Sequence, residues 1–205
     1  MWNGQRLAVV LPTYNEHLSI ADCIRSFESL GIVDEIVVVN NNAHPDTSPA
    51  VAPTSAREVH ELSLIHISEC EPDGTFDPAD LMKLLPFTSD VDVVFGSRTV
   101  QTFILSGANM GWFLRWGNWA VAKLAEVLYN TVYLSDVGCT FRVLKRSAID
   151  EMTPDFVGNA SSFGFEMMLH AARRRMTMVQ VPVKYQPRVG ESSVTGDFGK
   201  ALKLG

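Results

Sequence analysis

Cysteine is scarce in this chain, and no two cysteines stand close together in sequence. Only Cys23, Cys70 and Cys139 occur among 205 residues, with no CxxC spacing. An odd, scattered set excludes a disulfide framework and fits buried thiols in a reducing compartment. Basic residues are also few: 17 Lys and Arg face 23 Asp and Glu, a formal net charge of −6. No polybasic run and no basic stripe occurs, which argues against nucleic acid as a partner. No apolar run reaches the length that spans a bilayer, because Arg115, Asn118, Lys123 and Glu126 interrupt the best stretch. Internal repeats and low-complexity segments are absent. The first residues, MWNGQRLAVVLPTYNE, enter an apolar strand without the regions of a secretory leader, so a cytoplasmic chain is expected.

What is present is an ordinary globular composition, 46% hydrophobic and 20% charged, long enough for one domain with a substantial core. RLAVVLP reads as a buried strand closed by Pro12. Ile20, Ile24, Phe27 and Leu30 then recur at helical spacing, with Gly31 at the C-terminal cap. DEIVVVNNN is a second buried strand, so the first unit is β-α-β with parallel strands. AHPDTSPAVAPT reads as a loop and REVHE as a third strand. DPADLMKLLP reads as a helix capped by Asp77 with Pro78 at its first position. DVDVVFGSR is a strand, and GWFLRWGNWAVAKLAEVLYNTVYL the longest helical stretch. TFRVLKRSAI turns from strand to helix, FGFEMMLHAARRR is a helix and MVQVPVKY a last strand. Strand alternating with helix predicts a layered α/β fold with a mostly parallel sheet flanked by helices.

Parallel sheets bind ligands beyond the carboxyl ends of their strands. Three polar turns fall there: PTYNE, NNN and ECEPDG. In the last, Glu71 and Asp73 stand at i and i+2, a spacing that lets two carboxylates meet one hard divalent cation. Mg²⁺ or Mn²⁺ shared with substrate phosphates suits so small a ligand set. Alone, EPDG reads as an acidic surface turn; beside the other two it reads as a site. Arg115, Arg142 and Arg188 lie in separate segments, each beside aromatic or glycine residues. Singly each reads as a solvated arginine; together they suit a phosphate dianion. Trp112, Trp116 and Trp119 cluster on one helix, and either a buried face or a membrane-interface belt accounts for them. Glu166 starts a helix, as a general base or only as a partner of the helix dipole. The five histidines show no ligand spacing in sequence, and none is assigned to a metal.

These motifs in this order, LPTYNE, EIVVVNNN, CEPDGTF, DVVFGSR, FLRW, SDVGCTFR, FGFE and VPVKYQPRVGESS, cover nearly the whole chain. Together they resemble a family 2 glycosyltransferase of the GT-A fold, of the dolichyl-phosphate mannose synthase type. The resemblance implies that Pro12, Tyr14, Glu16, Asn40 and Arg98 line a nucleotide-sugar pocket. It implies a metal motif at Glu71 and Asp73, with Thr75 nearby, and phosphate-binding or catalytic roles for Arg115, Asp136, Arg142, Glu166 and Arg188. It further implies an inverting transfer of a hexose from a GDP- or UDP-sugar to a polyprenyl phosphate, at the cytoplasmic face of a membrane touched peripherally. The alternatives are transfer to a saccharide or protein hydroxyl, and a non-catalytic nucleotide-binding remnant. The chain departs from the pattern at Asn40–Asn42, where DDGS is usual, and at Ser193, where Lys is usual.

One junction conflicts with the fold. REVHE and SLIHIS abut, yet consecutive parallel strands need a crossover of about a dozen residues or more. Leu62–Glu69, LSLIHISE, matches one translation of a transposase adapter used in sequencing libraries. The expectation is one GT-A domain over 1–205 with an internal deletion at 62–69, a truncated C-terminus and weak activity as written. Amplifying the source locus across this junction is expected to yield a longer reading frame without the LSLIHISE codons. A product that encodes LSLIHISE contradicts the deletion.

Overall fold

A computed structural model describes residues 1–14, 16–40, 43–60, 71–108, 110–157 and 163–189. The adapter-like stretch Leu62–Glu69, Asn41, Asn42 and Ser193 lie outside the described residues.

The first half is the expected β-α-β unit. Strand β1 (Ala8–Thr13) pairs in parallel with β2 (Glu35–Asn40), and helix α1 (Ile20–Ser29) connects them. Ile20, Ile24 and Phe27 of α1 are fully buried, as their spacing requires. Gly31 ends the helix at φ +66°, donating to the Glu28 carbonyl at 3.1 Å. Pro12 does not end β1, which runs on to Thr13. A proline lacks only a donor, and among the described residues the second edge of β1 meets no strand. Strand β3 (Arg57–His60) adds in parallel to β2.

The segment expected as a loop holds a short helix, α2 (Thr47–Val51). Pro49 sits in its first turn, where a missing N–H breaks no helical bond. The helix expected from Asp77 is divided into a 3₁₀ turn (Pro78–Asp80), α3 (Leu81–Leu84) and a second 3₁₀ turn (Leu85–Ser89). Asp77 caps it as expected, accepting from Ala79 N at 3.0 Å.

The second half centres on β4 (Val93–Ser97), buried at every position. It pairs in parallel with β6 (Met178–Pro182) and antiparallel with β5 (Arg142–Leu144). The reversed β5 comes from the segment read as strand turning to helix, and α5 (Arg146–Met152) follows it. Helix α4 (Trp112–Tyr129) buries Ala122 and Ala125 against α6 (Phe163–Arg173) and β4. Asn130 ends α4 in the left-handed region.

Among the described residues the two three-stranded sheets, β1-β2-β3 and β5-β4-β6, share no hydrogen-bonded strand pair. They share one core, in which Val9, Leu11 and Phe27 meet Val94, Val143 and Val181. A cavity of about 340 Å³ lies between the entry to β1, at Leu7, and β5, at Val143 and Leu144. Truncating a fully enclosed side chain of this shared core, Phe27→Ala, is expected to cost about 3–5 kcal/mol of stability, read as a lower midpoint of urea unfolding. An unchanged midpoint contradicts a single shared core.

Candidate active site

The acidic turn after the 61–70 segment is built around Asp73. Its side chain is 1% exposed, and its Oδ1 accepts from Thr75 N at 2.9 Å and from Thr75 Oγ1 at 2.6 Å. Among the described residues its Oδ2 is buried without a well-aligned hydrogen-bond donor, and the Arg188 guanidinium nitrogen lies 2.6 Å from it. Glu71 Oε2 lies 3.3 Å from the same Arg188 nitrogen. Gly74 takes φ +79°, and a Cβ there would meet Val189 Cγ2 at 3.0 Å. Glycine is required at this point on both counts.

A second segment runs antiparallel beside the turn. Gln186 N donates to Thr75 O and Val189 N to Asp73 O, both at 2.8 Å, and Tyr185 bridges Phe76. Lys184 extends the contact, its N donating to Asp80 Oδ2 at 2.6 Å and its Nζ to Asp77 Oδ2 at 2.8 Å. This ladder brings Arg188 to residues more than a hundred positions earlier. From the other side, Ser19 at the start of α1 donates its hydroxyl to Pro72 O at 2.5 Å. A serine before a helix reads as a cap in sequence, so this tie between α1 and the acidic turn had no signal of its own.

The first-turn residues expected at the pocket are held by backbone and side-chain hydrogen bonds. Glu16 accepts from Tyr14 N at 2.7 Å and from Thr13 Oγ1 at 3.3 Å. Tyr14 is 53% exposed, and its carbonyl accepts from His44 N at 2.8 Å. Pro12 is half-buried at the end of β1. Asn40 is buried; it donates to Glu58 Oε1 at 2.7 Å, and its Oδ1 accepts from Ala43 N at 2.8 Å. Its amide pins the β2–α2 corner.

Three other charged residues are placed in the interior of the protein. Arg98 and the fully buried Asp136 form a two-pronged pair, with both bonds at 2.9 Å. Arg98 N at 2.8 Å and Gly138 N at 2.9 Å complete the Asp136 carboxylate. Burial pushes the Asp136 carboxyl up, but the Arg98 charge and these hydrogen bonds outweigh it and hold the group below its ordinary value. Arg142 is 1% exposed and donates to the carbonyls of Cys139 at 2.7 Å and Gly164 at 2.9 Å. Its guanidinium therefore links β5 to the start of α6, and a Cβ on Gly164 would meet it at 2.5 Å. Glu166 accepts from Val157 N at 2.8 Å and lies 3.5 Å from His170 Nε2.

Arg115 stands apart from Arg188, in a cavity of about 430 Å³ that Trp112, Trp116, Trp119 and Tyr133 help to line. It donates to Gln101. Polar Ser97 and Ser135 close the inner end. The three tryptophans are 76%, 55% and 45% exposed, which removes the buried-face reading. Phe113, Leu124, Val127 and Leu128 extend the bare apolar surface of α4. Among the described residues no helix is long and apolar enough to cross a membrane.

His17, remote in sequence from the neighbouring His44 and Asp46, joins them with ligand atoms within 4.8 Å of one another, which the sequence did not reveal. The two imidazoles stack at 4.0 Å and 19°. Ring lone pairs lie in the ring planes, so stacked rings aim side by side and not at one ion. Burial pushes the Cys23 thiol up to about 12, with the Asp73 charge adding, and burial pushes Cys139 up to about 12.

The donor set of the acidic turn fits a hard divalent cation. Asp73 has one oxygen fixed by Thr75 and one turned to a positive charge, and Glu71 stands beside it. The described residues therefore bring Glu71, Asp73, Thr75 and Arg188 together. Arg115 sits in its own cavity, and Asp136, Arg142 and Arg98 sit in the interior.

No protein-family model matches the chain. Curated relatives do. It is 29% identical over 210 aligned residues to the low-salt glycan biosynthesis hexosyltransferase Agl6 of Haloferax volcanii, covering 92% of this chain and 49% of that protein. The chain thus spans about half the length of Agl6. It is 23% identical over 228 residues to the undecaprenyl-phosphate mannosyltransferase of Micrococcus luteus, covering 96% of this chain and 91% of that one. Among solved structures, the Mycobacterium tuberculosis glucosyl-3-phosphoglycerate synthase in complex with Mn²⁺, UDP and glucosyl-3-phosphoglycerate superposes with a TM-score of 0.67 at 14% identity. The match covers 92% of this chain and 74% of that one.

Replacing Asp136 by Asn leaves Arg98 buried opposite a neutral group and is expected to cost about 3–5 kcal/mol at pH 7. Because the folded carboxyl is depressed, the loss should stay constant down to about pH 5 and shrink only as the pH falls below about 4, through the folded value. Urea unfolding of both chains across this range checks it; a loss that shrinks between pH 8 and 6 contradicts it. The chain is thus similar in sequence to curated hexosyl- and mannosyltransferases, and it has a GT-A fold.

Proposed function

We propose that the chain transfers a hexose from a GDP- or UDP-sugar to a polyprenyl phosphate, with inversion and with Mg²⁺ or Mn²⁺. The reading is carried by two features together: an acidic turn suited to a cation, and Arg115 in a cavity that three tryptophans help to line. A phosphate head on an apolar tail needs such an arginine beside aromatic surface. The names of the curated relatives point the same way.

Glu71 and Asp73 would hold the metal ion, which supplies countercharge to the nucleotide diphosphate. Thr75 fixes the Asp73 carboxylate so that its outer oxygen is aimed in advance. Arg115 would hold the acceptor phosphate. One oxygen of that phosphate bonds to the anomeric carbon from the face opposite the nucleotide, while the bond from that carbon to the diphosphate oxygen breaks. An ionised phosphate needs no proton removed, so Glu166 is not required as a base. The exposed apolar face of α4 would rest in the interfacial layer of a bilayer, where a polyprenyl phosphate presents its head.

The activity test is a panel of GDP- and UDP-hexoses with Mn²⁺ and polyprenyl phosphate, run on the chain with its 62–69 segment replaced by the natural crossover. Arg115→Ala is expected to lower transfer about 10²-fold or more, with Glu166→Gln within several-fold of the parent. Loss with Glu166→Gln but not with Arg115→Ala would instead indicate a hydroxyl acceptor. Metal-dependent binding of a nucleoside diphosphate without any turnover would indicate a remnant. For the membrane contact, Val127→Asp with Leu128→Asp is expected to reduce sedimentation with lipid vesicles while leaving transfer to a short-chain acceptor in solution. Unchanged sedimentation overturns it.

A further inference from the structure

The geometry points to Arg188 as a tethered stand-in for the metal ion. It neutralises the acidic turn while the turn is metal-free, and it leaves for the substrate phosphates when the ion arrives. This rests on the reading of Glu71 and Asp73 as metal ligands. Four observations carry it.

First, one guanidinium nitrogen reaches both carboxylates, at 2.6 Å from Asp73 Oδ2 and 3.3 Å from Glu71 Oε2. Second, Asp73 Oδ2 is buried without a well-aligned hydrogen-bond donor, so Arg188 is a charge placed against it and not a member of a completed hydrogen-bond set. A divalent ion bonded to that oxygen at about 2.1 Å would occupy the space where the guanidinium stands. The two cations exclude each other at Asp73.

Third, the backbone on both sides of Arg188 is fixed to the same turn. Gln186 N bonds to Thr75 O and Val189 N to Asp73 O, at 2.8 Å each. A displaced side chain therefore swings from a fixed base and remains beside the ion. Fourth, Arg188 is half-buried and the Asp73 side chain 1% exposed, whereas Glu71 is 42% exposed. The open side of the group is thus at Glu71, where an ion and a diphosphate can enter.

A cation that competes for the ligands and afterwards meets the phosphates has a distinctive signature. Its removal should act in opposite directions on the ion and on the nucleotide. In Arg188→Gln, Mn²⁺ measured alone, by the paramagnetic resonance signal of the free ion, is expected to bind about tenfold tighter than in the parent. Binding of GDP and UDP in saturating Mn²⁺ is expected to weaken about tenfold. Arg188→Lys retains a charge and should fall between the two for Mn²⁺. Thermal melts of each variant without ligand show whether it is folded.

Mn²⁺ affinity that is unchanged or weaker in a folded Arg188→Gln overturns the inference. Asp73→Asn and Glu71→Gln separate this from failure of the metal reading. If they abolish Mn²⁺ binding while Arg188→Gln leaves it unaltered, the metal reading stands and the stand-in role falls. If they bind Mn²⁺ as the parent does, the metal reading itself fails.

Discussion

The site depends on how one buried carboxylate is divided between two partners. Asp73 gives one oxygen to the amide and hydroxyl of Thr75 and turns the other toward a positive charge. Gly74 permits the turn, Ser19 holds it from the α1 side, and the Tyr185–Val189 segment holds it from the other. A buried ionised carboxylate is costly without a countercharge, and Arg188 supplies one here. That constraint accounts for Arg188 beside Asp73 Oδ2 and underlies the metal seat proposed for this turn.

A second buried charge has the opposite character. Arg98 and Asp136 satisfy each other on two prongs, with two backbone amides completing the carboxylate. These four donors fully engage the Asp136 carboxylate. Such a pair fixes the 97–98 and 135–138 segments against each other. Arg142 is likewise committed, to two carbonyls that join β5 and α6.

The outline of the fold was legible because buried strands and amphipathic helices leave periodic marks. The apolar runs of β1 and β2, the Ile20–Ile24–Phe27 stripe and the Gly31 cap all read directly. The direction of β5 was not legible, since an apolar run has the same pattern whether its neighbour is parallel or antiparallel. Helix α2 was hidden by Pro49 within it and by Pro45 and Pro53 beside it, since what a proline means depends on the turn it occupies. The acidic turn was legible from the two-residue spacing of Glu71 and Asp73. The destinations of the arginines were not: an aromatic or glycine neighbour in sequence accompanies the enclosed Arg142 and the half-exposed Arg115 alike. The meeting of Arg188 with Asp73 depends on chain tracing across more than a hundred residues, and no local pattern encodes it.

The central claim is that the Glu71–Asp73 turn is a metal seat. Diffraction at the manganese edge from crystals grown with Mn²⁺ and a nucleoside diphosphate tests it most directly. The account predicts one strong anomalous peak against Asp73 Oδ2, with the Arg188 side chain moved off that oxygen. A peak elsewhere, or Arg188 still in contact with Asp73 beside a bound nucleotide, would contradict it.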